Sequence, residues 1–93
     1  MEKKRVTIRV AGKDYNMTSS DSEAYVRRVA AHVDRRIGEL TLATRLPAAD
    51  VAVLTAITLA DETFKAQDEV VRLRRELDQA RLELDRLRGE IDS

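Results

Sequence analysis

From Ala66 to Ile91 the chain repeats every seven residues, and the repeat restricts this half to one kind of structure. Val70, Leu77, Leu84 and Ile91 fall at position a of a heptad, and Ala66, Leu73, Ala80 and Leu87 fall at d. An apolar a/d seam on a continuous helix is covered when helices supercoil around one another. The flanks agree with that reading. Position g holds Glu69, Glu76, Glu83 and Glu90, while position e holds Gln67, Arg74, Arg81 and Arg88. In a parallel, in-register pair each g residue faces the next e residue of the partner, matching Glu69 with Arg74, Glu76 with Arg81 and Glu83 with Arg88. An antiparallel pair would set Glu near Glu and Arg near Arg. Each exposed pair contributes only about 0.2–1 kcal/mol, but the repulsive alternative makes orientation a sum of several such differences. The pattern therefore predicts a parallel dimer, with Val70, Leu73, Leu77, Ala80, Leu84, Leu87 and Ile91 as its oligomerisation residues. Leu82 and Val71 are apolar but off the seam. They are ordinary surface residues, or the place where two dimers meet.

Upstream of the heptads nothing interrupts a helix as far back as Pro47, which suits a first helical position because its missing N–H has no partner there. The expected helix runs to about Arg88, roughly 42 residues and about 60 Å. Between Val51 and Phe64 apolar residues occur all round it, so residues 47–65 are expected to pack in the head or dimer core, under the preceding elements and against a second copy. Before it, Ser20-Asp21-Ser22-Glu23 has the form of a capping box and predicts a helix over about 21–40. Val26, Val29, Ala30, Val33, Ile37 and Leu40 give that helix one apolar stripe, with Arg27, Arg28, Asp34, Arg35 and Arg36 mostly off it. Gly38 weakens its last turns, and Thr41 to Leu46 reads as a short connection. At the start, Arg5-Val6-Thr7-Ile8-Arg9-Val10 alternates strictly. A Gly12-Lys13 loop of type II′ would pair Val10 with Tyr15 and Ile8 with Met17, giving a hairpin over 5–18 with one apolar face. A lone hairpin is marginal, so it must rest on a helix.

The fold class is α+β: a head of residues 1–46, hairpin plus helix, followed by a long helix of residues 47–93 whose 66–91 segment forms a coiled coil. The chain has 93 residues, 37% of them charged and 3% aromatic, and no cysteine. A core this small makes association the expected source of stability. Residues 1–47 hold ten Lys/Arg against six Asp/Glu, a net of +4, and residues 48–93 hold seven against eleven, a net of −4. A basic head on an acidic rod suits an acidic partner. No apolar run reaches the ~18 residues of a membrane span and no signal-peptide core follows Met1, so no membrane partner is expected and the default address is the cytoplasm.

Enzyme and metal chemistry find little footing. His32 is the one histidine, and a metal needs several converging ligands, so a partly exposed structural role is expected and no metal or other cofactor. Asp61-Glu62 is the one acidic pair in an apolar stretch, read as solvated or paired with a basic head residue. The three glycines, Gly12, Gly38 and Gly89, are too scattered for a phosphate loop. No catalytic residues are assigned. A competing reading is a ribbon-helix-helix DNA-binding regulator, with Arg5, Thr7 and Arg9 on the strand face that reads bases. The second strand over Asp14 to Thr18, the neutral net charge and the acidic rod oppose it, and no nucleic-acid partner is expected.

Two segments carry a family resemblance. Ala30-Ala31-His32-Val33-Asp34-Arg35-Arg36-Ile37 is similar to the first-helix signature of the ZapA family of bacterial cell division proteins, and Val53 to Glu62 is similar to its second-helix signature. The hairpin with Gly12 and the coiled coil stand in the same order, so the resemblance covers nearly the whole chain. It implies a non-enzymatic cytoplasmic protein at the midcell division site that binds the tubulin-like GTPase FtsZ through its head. It further implies lateral association of FtsZ filaments, a stabilised Z-ring, and dimers that pair into tetramers through the tail. The resemblance assigns FtsZ contact to basic residues on the hairpin and near the helix junction, here Lys13 and Arg45. A second hairpin position often basic in the family is Asn16. The tail is short for a member that tetramerises through a long one.

Overall fold

Strict alternation at the start of the chain does produce a strand. In the computed structural model, which describes residues 2–92, β1 (Lys4–Val10) pairs antiparallel with β2 (Lys13–Ser19). The register differs from expectation: Val10 faces Lys13, Ile8 faces Tyr15 and Val6 faces Met17. The turn is Ala11-Gly12, with φ of 53° and 78°, so both central residues are left-handed and the turn is of the I′ kind. Lys13 is therefore the first residue of β2 and not a loop residue. Pairing slips by two residues, which leaves every side chain on the face assigned to it. The slip has a reason on the other face. This register sets Arg9 against Asp14 at 3.1 Å and Thr7 Oγ1 against Asn16 Oδ1 at 2.8 Å, pairs that the expected register would separate.

The first helix, α1 (Glu23–Thr44), begins two residues later than expected and ends four later. Its N-cap is Ser22, whose Oγ accepts the Tyr25 N–H at 3.1 Å. Ser20 does not cap it; Ser19 Oγ accepts the Asp21 N–H in a polar turn just before. The helix runs through Gly38 and into the segment expected to be a connection, and it closes on a left-handed residue, Arg45, whose N–H reaches the Thr41 carbonyl at 3.0 Å. A Cβ at Gly38 would meet nothing within 4 Å. Gly38→Ala is accordingly expected to raise stability by about 0.5–1 kcal/mol, read as a shift in the urea midpoint at constant m-value. The second helix, α2 (Ala48–Asp92), starts one residue after Pro47, whose carbonyl accepts the Val51 N–H at 3.0 Å.

The chain divides into two compact units, one up to Thr58 and one from Leu59 on. One buried cluster of the first unit is Val6, Ile8, Val26 and Ala30, with Val10 packed against it, and it joins the hairpin to α1. The opening turns of α2 bury Val51 at 0% and Thr55 at 2% exposure, and Thr55 satisfies its hydroxyl on the Val51 carbonyl at 2.7 Å. Val53, Ile57 and Phe64 are open within one chain, so only one face of the 51–64 segment is covered by its own chain. Tyr15 and Met17 on β2 are half-exposed while Val6 and Ile8 on β1 are buried, because α1 lies over β1. The second unit is helix throughout its described residues.

Candidate functional site

In the second unit the heptad residues lie along one side of an unbroken helix. Val70, Leu73, Leu77, Leu84 and Leu87 each expose 44–49% of their surface, which leaves a row of apolar groups in water unless another helix covers it. Ile91 and the off-seam Leu82 are more exposed, and Val71 resembles the seam residues in exposure. The g-position carboxylates are engaged within the helix: Arg72 pairs with both Glu69 and Glu76, the latter at 2.6 Å, and Arg86 pairs with Glu83 at 2.5 Å. The Arg72 hydrogen bond, against a weaker desolvation, holds the Glu69 carboxyl below its ordinary value. Arg74, Arg81 and Arg88 at e make no ion pair among the described residues. Sequence reasoning missed Arg72 and Arg86, although their i,i+3 and i,i+4 spacing from glutamates was there to read. Such exposed pairs are weak and salt-sensitive, so they leave the glutamates available to arginines of a second helix.

In the first unit, Lys13 stands at the edge of the turn and is exposed, with no ion pair among the described residues. Its neighbour Asp14 is already neutralised by Arg9. Arg45 is exposed too, and its φ of 56° is the left-handed conformation that ordinarily selects glycine. No hydrogen bond or ion pair joins the two residues among those described. Asn16, at the second hairpin position, is occupied by Thr7. On α1, Arg27 pairs with Glu23 at 2.7 Å, whereas Arg28 and Arg35 line a shallow depression with Tyr25, Val29 and His32. Arg35 Nη2 donates to His32 Nδ1 at 2.8 Å, and because arginine only donates, this ring nitrogen is the acceptor. Asp61 pairs with Lys65 along its own helix at 2.9 Å, and the hydrogen bond to Asp61, with its charge, raises the Lys65 ammonium above its ordinary value.

Among the described residues no three His, Asp or Glu side chains are grouped as a metal would require. No single helix there is long and apolar enough to cross a membrane. The ribbon-helix-helix alternative also lacks support, since β1 is paired with a strand of its own chain before the first helix begins.

The sequence pattern described as "Cell division protein ZapA" matches residues 6–91. The cell division protein ZapA of Geobacillus thermodenitrificans (strain NG80-2) is 41% identical over 70 residues, covering 72% of this chain and 75% of that protein. That of Shouchella clausii (strain KSM-K16) is 39% identical over 64 residues, covering 68% and 82%. Among solved structures, the ZapA mutant dimer from Geobacillus stearothermophilus superposes with a TM-score of 0.69 at 38% identity, over 84% of this chain and 92% of that one.

Proposed function

The chain belongs to the ZapA family of cell division proteins, and on that premise we propose that it binds FtsZ filaments through its first unit and joins them through self-association of its second. The observation that carries this reading is the division of labour in the fold. A small head whose core is complete without the distal helix is followed by a helix whose apolar seam is left half in water. The first can bind with the second changed, and the second can assemble with the first changed. A solved relative is a dimer, which supports self-association of this kind of chain. The protein works by holding filaments side by side, without catalysis, in the cytoplasm at the division site. Lys13 and Arg45 supply cations for the filament surface, within a head spanning residues 1–46, and the seam from Val70 to Ile91 supplies the joint. Co-sedimentation with polymerised FtsZ, run beside light scattering for solution mass, tests it. A chain that forms dimers yet stays in the supernatant at every filament concentration would sink the proposal.

The joint is parallel in this reading, because the g and e residues are complementary only in that orientation. Leu77→Cys and Leu84→Cys, made singly in isolated dimers, are each expected to form a disulfide with their own counterpart under mild oxidation. An antiparallel pair brings at most one such heptad level opposite itself. Cross-linking at one position and failure at the other would reverse the assignment.

A further inference from the structure

The hairpin turn places a non-glycine residue, Ala11, in the left-handed region at φ 53°. An L-residue takes that conformation only against a steric cost, so something must hold it there. The Ala11 N–H donates to Asp34 Oδ1 on α1 at 2.8 Å, across 23 positions of sequence. The buried cluster between hairpin and α1 is apolar, made by Val6, Ile8, Val26 and Ala30, and apolar burial is itself non-directional. The Asp34 bond is directional. Its carboxylate is also not competed for along its own helix: Ala30, Ala31, Ile37 and Gly38 occupy the positions three and four residues away, and none is basic. The adjacent Arg35 is directed to His32.

Lys13 follows this turn directly, paired with Val10, and the carboxylate beside it is taken by Arg9. We propose that Asp34 is a positioning residue: it locks the turn onto α1 so that the Lys13 ammonium is presented in one place, and thereby sets the affinity of the head for an acidic partner surface. The inference rests on the reading of Lys13 given above. A cation held in place binds more tightly than the same cation on a swinging hairpin, because the ordering cost is met before binding.

The test uses the full chain with Asp34→Ala, Asp34→Asn and the Lys13→Glu/Arg45→Glu double variant. Amide exchange at Ala11, pelleting with polymerised FtsZ and solution mass are measured on each. Asp34→Ala is expected to speed Ala11 exchange about tenfold or more and to weaken pelleting about three- to tenfold, with mass unchanged. Asp34→Asn keeps an oxygen that accepts the same N–H, and is expected to restore both. Unaltered pelleting by Asp34→Ala, with binding lost in the double variant, would overturn the positioning role while keeping the reading of Lys13. Full binding by the double variant would overturn both. If Asp34→Ala fails to fold, Asp34→Asn decides: normal Ala11 protection with weakened pelleting would show that charge, and not the tether, matters, and the inference would fall.

Discussion

Leu84→Glu is expected to abolish filament bundling while leaving the head folded and weakly able to bind. Leu84 sits at an a position, where a parallel pair brings it against its own counterpart. The substitution removes two leucines from the seam and sets two carboxylates face to face. Loss of a buried leucine costs about 2–5 kcal/mol where the site cannot collapse, and a desolvated carboxylate with no cation opposite adds to that. The ring of g and e charges recovers only a fraction, at about 0.2–1 kcal/mol per exposed pair. Association should therefore fail at micromolar concentrations. The head should not follow, because its core is Val6, Ile8, Val26 and Ala30 and Leu84 belongs to the other unit. With one head per particle the avidity of two linked sites is lost, about 10²–10⁴-fold. Light scattering should give a monomer mass, pelleting should fall to a weak saturable level, and electron microscopy should show single filaments. Bundles at normal density from a monomeric variant would mean that heads join filaments without the helix.

Which parts of this were legible beforehand follows from what each signal encodes. Period-two alternation states which face a strand residue occupies, and Val6 and Ile8 are indeed inside. It is silent on registers that differ by two residues, and Gly12 fits either candidate turn. Cross-strand chemistry broke the tie, with Arg9 facing Asp14 and Thr7 facing Asn16. Both pairings are present in the sequence, but the apolar alternation is the same in either register. The end of α1 was misplaced because Thr41 to Leu46 reads as a connection, whereas the helix continues to Thr44, with the Thr41 and Thr44 hydroxyls donating to the carbonyls of Ile37 and Leu40 four residues back. The cap moved from Ser20 to Ser22 because two serines two positions apart compete and local spacing does not choose between them. Asp34 was visible only as an acid off the stripe. Its role is a contact 23 residues distant, which no local pattern contains. Val53, Ile57 and Phe64 show the converse: their apolar character was plain, yet a single chain covers none of them.

Reversing charge at Lys13 and Arg45 together should do the opposite of the seam variant, removing binding and leaving assembly intact. Both residues are exposed, and neither belongs to the core or the seam, so the double variant should keep its mass and its thermal transition. The change is four charge units on each head, which converts attraction to an acidic surface into repulsion. Residual binding by the unsubstituted chain should itself weaken as salt is raised from about 0.05 to 0.15 M, as the screening length contracts. Arg45 permits a sharper experiment, because its backbone separates stability from function. It occupies a left-handed C-cap at φ 56° where glycine is favoured, by about 1–2 kcal/mol relative to a residue with a side chain. Arg45→Gly should therefore raise the urea midpoint while weakening pelleting and flattening its salt dependence. A more stable protein that binds less well cannot have lost binding through damage to its fold. The retention of an arginine where glycine would be more stable then has an explanation in what the guanidinium touches. Full pelleting by Arg45→Gly would take Arg45 out of the contact, and full pelleting by a fragment of residues 59–93 alone would move the binding surface from the head to the helix.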